Sequence, residues 1–505
     1  MSFVRGFAVS LLMVVAAACS TKASVPCSTQ SDCDPYPLTL CTEGTCRLVT
    51  ELDLGNIDLA GFFSHDASVV DAAAGPADMV GFCGNDAALS CPDTTPVCGA
   101  TQYCRACAVG DEAQCSARSI NAPRCDTGTG ACAACRPANE ATDCPSTDLS
   151  VCGSDGSCRK ACTKHADCDS GICDPGVITP NRSSCARADE VVYVKAQSTC
   201  PATADGTKAN PFCTMDAVVA KLPAGGFIDV LPSSEGSLAQ TKNAFTAPYV
   251  IVGTGTLTGF PISAGNITLY PPAVTVGAGG NVYLSGVFID SSVSTGIACD
   301  NQGKLTLYAM TISSSGGYAI ATGDCAVTID RLNARAGKGG IAQNAGTLSM
   351  TNSFVTDNSG IGLSLGAGVA VGQLAGLTIA GNKPPSASTP GGVSCGAAAN
   401  IYNSIVRGNQ QVSGSSIAGS CSFHYSDVDQ AVATNDHNVN LAPKFRGINI
   451  AVPSLGYNYH LVAGDAANVS CCFDRGATLA SGSYDFDGDK RPLGAGYDIG
   501  ADEVQ

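Results

Sequence analysis

An all-β chain, a right-handed parallel β-helix preceded by small disulfide-rich modules, is predicted by three features of this 505-residue sequence. Short β-branched segments recur at a fixed period, 20 cysteines crowd residues 27–185, and only 14% of residues are charged. GVFIDSS (286–292), AMTISSS (309–315), RLNARAG (331–337), NSFVTDN (352–358), GLTIAGN (376–382) and NSIVRGN (403–409) align with one another. Their fourth residues are Ile289, Ile312, Ala334, Val355, Ile379 and Val406, spaced 23, 22, 21, 24 and 27 apart. Such a period, with strands of three to five residues and Gly/Asn/Asp turns, fits one coil of a parallel β-helix. A propeller blade needs about 40 residues or more, and a leucine-rich repeat needs a Leu/Asn template that is absent. Helical periodicity is scarce, and Met215–Leu222 is the main candidate, as a short capping helix.

Sulfur gives an independent check. Cys299 and Cys325 are 26 residues apart, as are Cys395 and Cys421. One coil separates equivalent residues by about 4.8 Å, inside the Cα range for a disulfide. Both pairs are therefore expected to bridge adjacent coils, and Cys200–Cys213 to close the loop before the first coils. Cys471 and Cys472 form either a vicinal pair or two half-bridges.

Ahead of the repeat, the cysteines fall into five groups of four: 27, 33, 41, 46; 83, 91, 98, 104; 107, 115, 125, 132; 135, 144, 152, 158; and 162, 168, 173, 185. Modules this small cannot build an adequate hydrophobic core, so disulfides must replace one. Four cysteines allow three connectivities, and spacing does not choose among them. Cys104-x-x-Cys107 and Cys132-x-x-Cys135 also have zinc-ligand spacing, but in an exported chain they read better as module boundaries. Residues 47–82, acidic and without cysteine, read as a linker.

Met1–Ala18 reads as an export signal: Arg5 supplies the positive region and Gly6–Ala18 is apolar or small apart from Ser10. The run ends at Ala16-Ala17-Ala18-Cys19, which resembles a bacterial lipoprotein box with Cys19 as the lipidated residue. Removing Cys19 from the 29 cysteines leaves an even number for disulfides. Ser20 and Thr21 follow, rather than the Asp of inner-membrane retention, so an outer-membrane lipoprotein at the cell surface is expected. The chain has 27 Lys+Arg against 43 Asp+Glu, a net charge of −16, which argues against nucleic acid. The resulting division is 1–19 signal and anchor, 20–46 first module, 47–82 linker, 83–187 four modules, 188–435 β-helix and 436–505 its C-terminal cap.

The succession NSIVRGN, HYSDVD (424–429), HNVNLAPKF (437–445), YNYHLVAGDAANV (457–469) and DFDGDKRP…YDIGADE (485–503) resembles a known family. Its members are pectate-lyase-like right-handed β-helix proteins with a choice-of-anchor Q type C-terminal region. YVKAQSTCPATADGTKANPFCTMDAV (193–218) is similar to their entry segment, and the Cys-rich region resembles the repeats that precede larger modules in bacterial surface lipoproteins. This chain departs from the family at Asp502, where Tyr is usual, and at Cys471-Cys472. The resemblance implies an exported solenoid, often linked to polysaccharide, and implies no single reaction.

Chemistry-bearing candidates are few. Polysaccharide lyases on this fold hold calcium against a uronate with carboxylates and abstract a proton with Arg or Lys. The coils offer Asp290, Asp300, Asp324, Asp330 and Asp357, with Arg331, Arg335 and Lys338 as bases. Asp324, Asp330, Arg331 and Arg335 fall within one coil. Asp485, Asp487 and Asp489 alternate like a calcium loop, though the glycine falls at position four. The resemblance makes them structural instead, with Arg491 pairing Asp485 or Asp498. His424, Asp427, Asp429, Asp436 and His437 form a further metal-like run. No paired-carboxylate glycosidase signature, phosphate loop or G-x-S-x-G elbow is present, and Trp is absent.

The expected function is glycan or surface-partner binding without catalysis, through shallow contact along stacked coils. The alternatives are a calcium-dependent polysaccharide lyase using Asp324, Asp330, Arg331 and Arg335, and a structural envelope spacer. No cofactor is called for beyond that calcium.

Overall fold

The computed structural model describes the backbone of strands Thr39–Thr42 and Thr45–Leu48, then Cys91 and, with short breaks, residues 95–504. The export signal, Cys19, Cys27, Cys33, the 47–82 linker and Cys83 lie outside the described residues. Residues 1–80 and 81–505 form two units, and the described residues of the first are an antiparallel hairpin that sets Cys41 opposite Cys46.

In the second unit each cysteine module is built on a similar hairpin. The third and fourth cysteines face one another in register: Cys98 and Cys104, Cys125 and Cys132, Cys152 and Cys158, Cys173 and Cys185. They bond not to each other but backwards, first to third and second to fourth. The pairs Cys107–Cys125 and Cys115–Cys132, Cys135–Cys152 and Cys144–Cys158, and Cys162–Cys173 and Cys168–Cys185 all obey this rule. Cys91–Cys104 fits the same order. The sulfurs of Cys104 and Cys107, and of Cys132 and Cys135, thus belong to separate disulfides and are not zinc ligands.

Ion pairs tie module to module: Arg136 to Glu112 at 3.1 Å and Arg182 to Glu140 at 2.6 Å. The last module does not simply precede the solenoid. Its Ile172 and Ala186 pack with Val191, Tyr193, Phe227, Val250, Val252 and Tyr283 on the outside of the first coils. Arg159 clamps Glu190 with two bonds of 2.7 and 2.6 Å at the junction.

From Val191 onward the chain winds into a parallel β-solenoid of about seven turns. Inward positions stack in register along three ladders. The first carries Val192, Ile228, Ile251, Leu284, Leu307, Ile329, Met350, Leu374, Ile401 and Phe423. The second aligns Ile289, Ile312, Ala334, Val355, Ile379 and Val406, the same six residues that the repeat alignment placed in equivalence. The third stacks Val274, Ile297, Ile320, Ile341, Leu363, Val393 and Ile417. Nearly all are fully buried and form one continuous core. Helix Met215–Lys221, N-capped by Thr214, adds Met215 and Val218 to it at the entry end.

Corners repeat as faithfully as strands. Between the first and second ladders one residue per coil adopts a left-handed conformation: Gly286, Ala309, Arg331, Asn352, Gly376, Asn403 and Tyr425. After it, the Oγ of Ser353, Ser404 and Ser426 accepts from a backbone N–H of the preceding coil (Leu332, Leu377 and Ser404, respectively). At the second corner Asp357, Gly381 and Gly408 are left-handed, and a buried asparagine follows each. Asn358 Nδ2 donates to Asn382 Oδ1 at 2.8 Å, and Asn382 Nδ2 to Asn409 Oδ1 at 2.9 Å. Each amide also satisfies a backbone N–H and a backbone carbonyl, as Asn382 Oδ1 accepts from Asn358 N and Asn382 Nδ2 donates to Val355 O. Buried polar groups so fully paired stabilise a corner that apolar residues would leave unsatisfied.

Disulfides Cys299–Cys325 and Cys395–Cys421 join adjacent coils, and Cys200–Cys213 staples the loop before helix Met215–Lys221. Cys471 and Cys472 bond to each other. The C-terminal region differs from a simple cap. Asn438 and Val439 stack on the last coil, but Phe445–Ile448, Tyr457–Leu461 and residues 484–504 run back along the flank. Tyr459 Oη donates to Asp357 at 2.6 Å, Gly500 N to Asn403 O at 2.8 Å and Ala501 N to Thr378 Oγ1 at 3.0 Å. Ile405, Leu461, the Cys471–Cys472 pair and Ile499 form a separate core beneath this arm. Among the described residues no helix is long and apolar enough to cross a membrane.

Asn382→Ala removes four side-chain hydrogen bonds and leaves the amides above and below short of partners. It should lower stability by about 2–4 kcal/mol. A shift in the urea unfolding midpoint at unchanged slope would report it, whereas a loss below about 0.5 kcal/mol would contradict the ladder's role.

Candidate binding cleft

In each coil the strand residues that do not point inward face outward. On the second ladder they form a stripe of Phe288, Thr311, Asn333 and Phe354 in successive coils, beside Arg335 and Thr356. Two phenylalanines at outward positions require a cover, because an exposed aromatic stripe would favour association. The C-terminal arm supplies it. Phe486 packs edge-on against Phe354 at 4.7 Å between ring centroids, and His460 lies 4.8 Å from the same ring. Arg331 holds the arm down by donating from Nε to Phe486 O at 2.9 Å and from Nη1 to Tyr308 Oη at 3.0 Å.

Between stripe and arm lies a cleft of about 300 Å³, lined by Phe288, Thr311, Asn333, Arg335, Phe354 and Thr356 below and Tyr457, Asn458, Tyr459, His460 and Phe486 above. Its size is at the lower end of small-molecule sites, and its mixture of aromatic walls and a few polar groups is typical of them.

Arg335 is the charged group of this cleft. Its Nε is buried without a hydrogen-bond partner among the described residues. Burial weakens its hold on a proton, and only the charge of Asp357 opposes that. Asp357 is itself raised by burial, against the hydrogen bond from Tyr459; burial and Asp357 together raise Tyr459. At the other end of the cleft His460 sits beside Asp487 and Asp502. Burial works against a charged imidazole there, yet the two carboxylates outweigh it and the ring's proton affinity is raised. Asp502, inside the arm and accepting from Leu461 N, is pushed up to about 6 by burial.

The four residues proposed for a lyase are not assembled into a site. Asp324 is exposed and accepts from Gln302 N at 3.0 Å. Asp330 Oδ1 accepts from Thr351 Oγ1 at 2.7 Å and Asn352 Nδ2 at 2.9 Å. Arg331 is occupied with the arm, and Arg335 alone opens into the cleft. The reason is geometric: the left-handed bend at Arg331 turns the chain, so residues on either side of it face different ways. Asp300 and Lys338 are exposed, and Asp290 is half-buried.

Nor do Asp485, Asp487 and Asp489 converge as a calcium loop. Asp485 is fully buried, with Oδ1 accepting from Gly488 N and Asp489 N and Oδ2 from Glu503 N. Asp487 reaches out to His460 at 3.2 Å, and Asp489 is exposed. Arg491 meets the backbone carbonyls of Asp498 and Gly500 and the Glu503 carboxylate, rather than a carboxylate of Asp485 or Asp498. The run around 424–437 disperses as well. His424 stacks on Tyr402 and His437 on Tyr425, Asp427 is buried beside Arg407, and Asp429 accepts from Gly408 N.

Sequence reasoning missed the roof, Tyr457–His460 and Phe486. The available signal was Phe288 and Phe354, apolar residues at outward positions of a coil that otherwise presents polar ones. Compared with known proteins, the chain matches no protein-family model, and no curated protein matches its sequence.

The arm and the last coil carry a pH signature. Burial pushes Asp498 and Asp427 each up to about 7. Both therefore bind protons more tightly folded than unfolded, where the carboxyl value is about 3.9. Their contribution is fully present below about pH 4 and is lost as pH rises through about 7. The urea midpoint should fall between pH 5 and pH 8, and Asp498→Asn should flatten that fall. An identical fall in the variant would contradict the assignment.

Proposed function

We propose that this chain is an exported outer-membrane lipoprotein, anchored at Cys19 and displayed at the cell surface, whose β-solenoid binds an acidic glycan without catalysis. The resemblance to choice-of-anchor Q β-helix proteins, the lipoprotein-like segment ending at Cys19 and the disulfide density all support that address, since such bridges persist in oxidising compartments. In this reading the modules are a semi-rigid stalk, stiffened by the ion pairs between them and by docking of the last one on the first coils.

The observation that carries the binding reading is the desolvated Arg335 in an aromatic-walled cleft. Apolar ring faces suit the C–H faces of a sugar. A guanidinium whose buried Nε has no hydrogen-bond partner among the described residues suits a carboxylate, which it can hold with two parallel bonds. Asn333 and Thr311 offer hydrogen-bond partners for sugar hydroxyls nearby. The site is a bounded cleft rather than the extended shallow surface expected from the repeat. The lyase alternative finds no base held against a calcium-binding carboxylate cluster among its four residues.

Titration calorimetry on the full chain, with uronate-bearing oligosaccharides and neutral ones of equal length, tests this. Binding should favour the acidic series, and Arg335→Ala should weaken it by about tenfold or more. Because the Arg335 side chain makes no hydrogen bond among the described residues, its removal should leave folding intact. Equal binding by the variant, or no binding to any polymer, would overturn the proposal. A calcium-dependent rise in unsaturated-uronide absorbance would replace it with the lyase.

A further inference from the structure

We infer that His460, Asp487 and Asp502, at the end of the cleft, form a binding site for one borderline divalent metal ion of the zinc type. One ligand atom from each lies within 4.8 Å of the other two. His460 Nε2 and Asp487 Oδ2 are 3.2 Å apart, close to the separation of about 3.3 Å that two donors take on a tetrahedral ion with bonds near 2.0 Å.

The hydrogen bonding around the ring fixes which nitrogen is free. Asn458 Oδ1 accepts from His460 N at 3.0 Å, which sets the orientation of the amide. The same oxygen lies 2.5 Å from His460 Nδ1, and as an acceptor it requires that Nδ1 carry the proton. Nε2 is left to face the two carboxylates. It is buried and meets no strict hydrogen-bond geometry among the described residues, with Asp487 Oδ2 at 3.2 Å as its ion-pair partner when the ring is charged. Asp502 brings a carboxylate to the same point: it is only 3% exposed, and its Oδ2 accepts from Leu461 N. An imidazole nitrogen and two carboxylates thus converge within 4.8 Å, a donor set that one dication can bridge in place of the His460–Asp487 ion pair.

A second-sphere bond from the non-ligating nitrogen of a histidine is the arrangement that orients metal-binding imidazoles generally. The mixed nitrogen and oxygen set favours zinc-like ions over calcium or magnesium, which prefer oxygen alone. Three protein ligands leave a fourth position open, and the half-exposed Asp487 provides the entry path. This inference stands apart from the glycan reading, since it rests on the arm alone.

The test uses the full chain, stripped with chelator and titrated with Zn²⁺, with Co²⁺ as a spectroscopic probe. Saturable binding is expected, weakened at least tenfold in both Asp487→Asn and His460→Gln, unchanged in His424→Ala, and not displaced by equimolar Ca²⁺. His424 is the control because it lies 3.9 Å from Asp436 and is the competing surface site. Asp487→Asn decides the matter if His460→Gln fails to fold, because the Asp487 side chain is 47% exposed and a melting curve checks its integrity. No saturable binding, binding unaltered in Asp487→Asn, or loss in His424→Ala would overturn the inference.

Discussion

Register is the constraint on which this molecule depends. Once a coil stacks on the next at one strand spacing, each residue meets its equivalent one coil away, and the backbone has no other partner. Apolar residues at equivalent positions then build a continuous core. Asparagines at equivalent corners hydrogen-bond in a column, and serines at the other corner each satisfy an amide of the coil before. A coil that lost register would strand all of these at once, since a one-residue slip carries every side chain to the opposite face. The two coil-to-coil disulfides reinforce what the hydrogen bonds already specify.

A solenoid organised this way leaves two problems, its ends and its outer faces. Helix Met215–Lys221 covers one end of the core. Two faces are then covered by segments that are not coils: the last cysteine module against the first ladder, and the C-terminal arm against the second. Burial of aromatic residues drives both dockings, and directional bonds locate them, Arg159 to Glu190 in one case and Tyr459 to Asp357 in the other. The cleft is a consequence of the second docking: a flat arm on a ridged stripe leaves a gap where the stripe residues are short. Thr311 and Asn333 sit between the two phenylalanines, and that is where the space lies.

The fold was legible because the strand period is written directly in NSFVTDN and NSIVRGN. The fourth residue of each repeat segment proved to be the inward position of one ladder, and the final asparagine of three of them is the buried corner ladder. Module connectivity was not legible, since the cysteines that lie opposite in a hairpin are not the ones that bond. The site was harder still. Arg335 was picked out for its charge and does line the cleft, but Asp324, Asp330 and Arg331 were grouped by sequence proximity, which the bend at Arg331 undoes. His460 gave no signal, because its partners Asp487 and Asp502 are far away in the chain and meet it only after the arm folds back.

The arm lies on the second ladder and thereby makes the cleft. This docking is tested most directly by a double-mutant cycle on the Tyr459–Asp357 bond, which spans 102 residues. Tyr459→Phe, Asp357→Asn and the double variant, compared by urea unfolding, isolate the coupling between arm and coil. A coupling energy of about 1.5–3 kcal/mol is expected, the range of a hydrogen bond to a charged group. A coupling indistinguishable from zero, with additive single effects, would contradict it.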